Sequence, residues 1–160
     1  MATTTDTIAP GANLELVVTR LLDAPRELVF KAWTRPEHAA QWWGPQGFTT
    51  ESCRLDARPG GTFRIVTRAP DGGIYTKCGV YREVVPPERL VFSFAWEDAN
   101  GDLGPELQVT VRLEAEGART RLTLHQSGFE SVARRDDHRT GWTSCLQRFA
   151  DWLAATGDLS

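Results

Sequence analysis

The chain has few side chains able to do chemistry, and His138 is the best placed of them. It stands three residues before Gly141 and four before Trp142, on or near the inner side of a helical stretch, where an imidazole can give or take a proton at a cavity mouth. A general base also needs a partner and a substrate within reach, so a packing role is the plainer reading of this catalytic candidate. His125 shares the parity of Arg121 and Thr123 and reads as a solvent-facing strand residue. His38, His125 and His138 lie far apart with no ligand-type spacing to a cysteine or carboxylate, so no metal site is expected. The three cysteines, Cys53, Cys78 and Cys145, are odd in number and widely spaced, as expected of reduced thiols in a cytoplasmic protein. No nucleophile elbow, phosphate loop or paired carboxylates occur, and no cofactor is expected. Two further polar residues, Arg20 and Gln126, have the inward parity of their strands. A buried Arg20 would need a carboxylate, several carbonyls or the acid group of a ligand.

Those groups must be held by a mostly apolar surface. The stretch from Val132 to Ala155 places Trp142, Cys145, Leu146, Phe149, Trp152 and Leu153 at three- and four-residue intervals on one helical face, leaving Ser144, Gln147, Arg148 and Asp151 to water. Such a face needs a partner, and the segment from Leu14 to Gln126 supplies one as short alternating strands. Phe92, Phe94 and Trp96 form one face of a strand and should look at the final helix. Together with Trp33, Trp43, Phe63, Tyr75, Tyr81, Val109, Leu124 and Gln126 from the sheet and short helices, and Trp142, Cys145, Leu146 and Phe149 from the long helix, they are the candidate lining of an apolar concave site. Each tryptophan can equally fill ordinary core. Gly141 costs about 1 kcal/mol relative to alanine inside a helix. Close packing against a strand would offset that cost; room left for a ligand is the functional alternative.

Along the chain, LELVVTRLL over residues 14–22 reads as a strand. Asp23-Ala24-Pro25 starts a short helix, with Asp23 able to accept from its free amides, and Thr34-Arg35-Pro36 starts a second that ends at Gly44-Pro45. Strands follow over residues 50–55, 62–68 and 75–85, separated by Arg58-Pro59-Gly60-Gly61 and Pro70-Asp71-Gly72-Gly73. Pro86-Pro87 closes the third of these. Further strands alternate around Leu90 to Trp96, Leu107 to Leu113 and Arg121 to Gln126, and Ser131 caps the long helix.

This order, taken with the wording of the sequence, resembles the START-like, helix-grip superfamily often called SRPBCC, and within it the family named for the activator of the heat-shock protein 90 ATPase. The resemblance is carried by Arg20 with Asp23-Ala24-Pro25, Trp33-Thr34-Arg35-Pro36-Glu37, Trp42-Trp43-Gly44-Pro45, and Asp56 with Arg58-Pro59-Gly60-Gly61. It continues through Gly79 with Glu83-Val84, Pro86-Pro87-Glu88-Arg89-Leu90, and Gly141-Trp142 with Leu146. It implies an α+β helix-grip fold: a curved antiparallel sheet of seven strands wrapped around a long C-terminal helix, with two short helices after the first strand. Residues 14–156 are expected to form that single domain behind a flexible tail at residues 1–13. In the superfamily the helix and the concave sheet enclose an apolar cavity that binds small molecules or hosts cyclisation and hydrolysis.

Composition narrows the functions. The formal charge of −3 arises from 18 basic and 21 acidic residues scattered along the chain, which favours neither nucleic acid nor a membrane surface. The leading expectation is binding of a hydrophobic or amphipathic small molecule. The alternatives are an enzyme in the same cavity, such as a cyclase, dehydratase or hydrolase using His138, and an interaction module acting as a homodimer through a strand edge or as a co-chaperone. A heat-shock protein 90 type partner is not expected, because the eukaryotic activator has an additional N-terminal domain where this chain has a short tail.

Overall fold

Seven alternating segments can each bury one face only if they share a single concave surface, and that surface governs the architecture. In the computed structural model, which describes residues 14–156, the elements are β1 (Glu15–Leu22), α1 (Arg26–Thr34), α2 (Pro36–Trp42), β2 (Thr49–Leu55), β3 (Thr62–Arg68), β4 (Ile74–Val85), β5 (Arg89–Glu97), β6 (Leu107–Glu116), β7 (Arg119–Ser127) and α3 (Val132–Thr156). The expected tail at residues 1–13 lies outside the described residues. Every strand pairs antiparallel in one sheet of order β1-β7-β6-β5-β4-β3-β2. The edges β1 and β2 are consecutive in the chain, so α1 and α2 carry the backbone from one edge to the other and close one end.

Register decides what the concave face presents. Leu16 pairs with Gln126, Gln126 with Val109 and Val109 with Phe92, so these four side chains share one face across β1, β7, β6 and β5. On the far side Phe92 pairs with Tyr81 and Trp96 with Lys77, which in turn lies opposite Ile65. A register shift between Tyr81 and Glu83 curls β4 over this face. Gly79 is needed there: a Cβ at that position would sit 1.9 Å from the Ser93 carbonyl oxygen and 2.7 Å from the Phe63 ring.

Helix ends follow the expected chemistry with one correction. Pro36 occupies the first turn of α2, and Ser131 Oγ accepts from the Arg134 amide at the start of α3. At α1, however, Pro25 is the N-cap and no side chain caps the helix, so Asp23 does not serve that role; Glu27 still complements the first turn. The core beneath α3 is aromatic. Trp42 lies 4.7 Å from Trp33 and 4.5 Å from Phe149 between ring centroids, all three almost fully buried.

Candidate functional site

The helix face and the sheet do not close on each other everywhere. Near the start of α3 they part to leave an open cleft of about 510 Å³. Its walls come from α3 (Arg134, Asp137, His138, Gly141, Trp142, Cys145), from β5 (Phe94, Trp96, Glu97), from β3 and β4 (Thr67, Ile74, Tyr75, Thr76, Lys77) and from the turn after α2 (Trp43, Gly44, Pro45, Phe48). The candidate lining therefore divides in two. Trp43, Tyr75, Phe94, Trp96, Trp142 and Cys145 face the cleft together with His138. Trp33, Phe63, Tyr81, Phe92, Val109, Leu124, Leu146 and Phe149 lie in the packed core instead, and Gln126 lies behind the cleft wall. The curvature of the sheet is deep enough to fill its centre with its own side chains, which leaves the opening at one end.

A chain of hydrogen bonds holds the wall formed by His138. The Trp142 indole donates to Gln126 Oε1 at 2.7 Å, and His138 Nδ1 lies 3.2 Å from the same oxygen. An indole can only donate, so the amide oxygen must face it; Nδ1 must then carry a proton to donate to that oxygen. Nε2 is left as the acceptor, and the Trp96 indole fills it at 3.1 Å. Burial and nearby Arg134, opposed by Asp137, push the imidazole down to about 4. Proton exchange between His138 and a bound molecule would thus have to break one of these bonds. Gln126 Nε2 is buried and has no hydrogen-bond partner among the described residues.

The depressed value has a consequence for stability. The unfolded imidazole titrates near 6.5, so between pH 6.5 and 4 the unfolded chain takes up a proton that the folded one refuses, and stability falls as pH falls through that window. Urea unfolding of wild type and His138→Phe at pH 7, 5.5 and 4 should show the wild type losing on the order of 1–2 kcal/mol more than the variant. Parallel curves would show that the imidazole accepts its proton in the folded state.

Gly141 is not explained by close packing. A Cβ added there meets nothing within 4 Å, and the residue lines the cleft. The glycine therefore widens the opening rather than seating the helix against a strand. Gly141→Ala is expected to raise stability by about 0.5–1 kcal/mol through helix propensity alone, measured by thermal unfolding. A destabilised variant would point to a tight contact.

The flank of α3 expected to face water instead ties the fold together. Arg148 Nη1 donates to the carbonyls of Trp43, Gly44 and Pro45 at 3.2–3.5 Å, its Nη2 donates to that of Gln41 at 3.2 Å, and Ser144 Oγ accepts from the Gln46 amide at 2.9 Å. Gln147 accepts from Arg20 at 2.6 Å and donates to Asp151. Arg20 is thus on the inner face as its parity implied, satisfied by the helix and away from the cleft.

Lys77 is the group that sequence reasoning missed. It is 3% exposed, its Nζ donates to Thr67 Oγ1 at 2.9 Å, and it lies 5.5 Å from the centroid of the Trp96 ring. Among the described residues no carboxylate pairs with it. Burial holds its amine down to about 8, while it pushes the thiols of Cys53 and Cys145 up to about 11. A signal was present: Lys77 shares strand parity with Tyr75 and Tyr81, both already assigned to the concave face. Among the described residues no three metal-ligating side chains converge, and no helix is long and apolar enough to cross a membrane.

Comparison with known proteins places this geometry. Residues 23–154 match the family described as Activator of Hsp90 ATPase homolog 1-like protein. No curated protein shows a significant match. Among solved structures, the AHSA1 protein from Silicibacter pomeroyi superposes with a TM-score of 0.82 at 27% identity, covering 89% of this chain and 99% of that one. A putative uncharacterised protein from Rhizobium leguminosarum gives 0.78 at 27%, covering 89% and 95%, and a protein from Chromobacterium violaceum gives 0.75 at 28%, covering 87% and 96%. The order of elements, the gripping sheet and the family match agree, and the chain belongs to the Activator of Hsp90 ATPase homolog 1-like family with its α+β helix-grip fold.

Proposed function

We propose that this protein binds a hydrophobic or amphipathic small molecule in the cleft between the sheet and the N-terminal half of α3. The observation that carries the reading is the unfilled space beside Gly141, bordered by Trp43, Phe94, Trp96 and Trp142. Its volume of about 510 Å³ falls in the range of small-molecule sites, and its aromatic walls are interspersed with polar side chains that could orient a bound molecule. Binding is favoured over catalysis because both ring nitrogens of His138 are already engaged. Three unpaired thiols suit a reducing compartment, and we place the activity in the cytoplasm.

Native mass spectrometry of freshly purified protein, set beside the denatured chain, tests the reading. An added mass that is released on unfolding is the expected result, and it supplies the mass of the bound molecule. If only the bare chain mass is found and no apolar probe binds the purified protein, the cleft does not act as a container.

A further inference from the structure

The cleft contains one element that a purely hydrophobic container does not need. Burying a cation costs several kcal/mol unless it is paired, and an apolar residue of similar length would fill the same space without that cost. Yet Lys77 sits on the cleft wall, 3% exposed, with Thr67 Oγ1 and the Trp96 ring as its stabilising contacts. Thr67 is itself committed, since it donates to the Tyr75 carbonyl at 3.3 Å and so offers Lys77 a lone pair. One hydrogen bond to a neutral oxygen leaves an ammonium with further donors to satisfy.

The other charged groups around the cleft do not complete it. Arg134 and Asp137 are exposed residues of opposite sign on the first turns of α3, and they offset one another at the mouth. Glu97 is engaged by Arg64, with contacts of 2.7 and 3.2 Å, and this pairing holds its carboxyl below the usual range. The remaining titratable neighbours are neutral: the Cys145 thiol from α3 and the Cys53 thiol from β2, both raised by burial, and the His138 imidazole lowered by it. Among the described residues the formal charges at the cleft, with Glu97 cancelled by Arg64, therefore leave one uncompensated positive centre, and it is the buried one.

We infer that the ligand is an anion: a molecule with an aromatic or similarly compact apolar body and one acidic group, whose oxygens pair with Lys77 Nζ while the body lies among Trp96, Phe94 and Trp142. This rests on the container reading above and specifies the class of molecule held. An arriving anion would supply the missing acceptors at a side chain already 3% exposed, where a charge-assisted hydrogen bond is stronger than in open water. It would also favour the protonated amine, which burial, partly opposed by Cys145 and Cys53, holds near 8.

Two fluorescent probes with the same skeleton separate the parts of this claim: N-phenyl-1-naphthylamine, which is uncharged, and 1-anilinonaphthalene-8-sulfonate, which adds one anionic group. Lys77→Met is expected to weaken the sulfonate about 10–100-fold and to change the uncharged probe less than about threefold. In the unmodified protein, 1-naphthaleneacetate should displace the uncharged probe at least about tenfold better than its amide, 1-naphthaleneacetamide, which requires no variant to fold. Equal losses of both probes in Lys77→Met, indifference between acid and amide, or a preference that disappears in Arg134→Gln while surviving Lys77→Met would each overturn the anion assignment. In those cases binding of the uncharged probe still supports the container. Failure of both probes to bind the unmodified protein removes the container and the anion together.

Discussion

Replacing Phe149 with alanine is expected to lower the unfolding free energy by about 3–5 kcal/mol, the largest loss foreseen for any substitution considered in this protein. Phe149 has no exposed surface. Its ring lies 4.5 Å from Trp42, 6.0 Å from Trp33 and 6.3 Å from Trp152, and it does not face the cleft, so the space left by truncation opens to nothing. Trp33 and Trp42 cannot relax into that space without leaving the packing they make with each other, and Trp152 is also engaged by the His38 ring. The cost is therefore the lost transfer energy plus an unrelieved cavity. Urea unfolding at neutral pH measures it, and Phe149→Leu, which keeps most of the volume, should cost less than about 1.5 kcal/mol. A loss below about 1 kcal/mol for the alanine variant would mean that the seam between α3 and the short helices collapses freely.

The second large effect has the opposite sign. Lys77→Met should stabilise the folded protein by about 1–3 kcal/mol at pH 7, since it replaces a buried cation by an apolar chain of similar length. The sign follows from linkage. Folding lowers the amine from 10.5 to about 8, so between those values the unfolded chain holds a proton that the folded one has released, and the wild type gains stability as pH rises. Above that window the penalty is gone. The advantage of the variant should accordingly be full at pH 7 and shrink as pH rises from 8 towards 10.5. The Cys53 and Cys145 thiols act the other way between about 9 and 11, chiefly through burial that both proteins share; removing the Lys77 charge, which favours their thiolates, changes only the smaller part of that contribution, so the comparison is cleanest between pH 7 and 9. Chemical denaturation of the pair at pH 7, 9 and 10 provides the comparison. A variant less stable than wild type at pH 7 would make Lys77 a structural residue.

How much of this was legible beforehand depended on distance along the chain. Local alternation placed the strands to within a residue or two at most ends, since hairpin residues such as Pro70-Asp71-Gly72-Gly73 act through their own backbone preferences. Parity correctly put Arg20 and Gln126 on the inner face, because the period of a strand is fixed by covalent geometry. What parity does not carry is depth. Phe92 and Trp96 share a face and a strand, yet Phe92 lies in sealed core while Trp96 borders open space, and only the curl of β4 and the path of α3 distinguish them. Gly141 was misjudged in its favoured reading for the same reason, since a missing side chain looks alike from the sequence whether a strand or a void lies opposite. Lys77 carries no assignment from the sequence: a cation on a strand ordinarily marks the outer face, and only its parity with Tyr75 and Tyr81 points inward.

The grip of Arg148 on the turn after α2 bears on how the cleft meets its ligand. Residues 43–48 have little regular structure, and segments of that kind ordinarily sample many shapes until something binds them. Here one guanidinium collects carbonyls from Gln41 to Pro45, and Ser144 takes the Gln46 amide, so the turn that supplies Trp43, Gly44, Pro45 and Phe48 is fastened to the helix opposite. Two walls of the site thus behave as a single body whose freedom is surrendered when the chain folds. A molecule entering the cleft has little left to organise there, and a larger share of its contacts remains as net affinity.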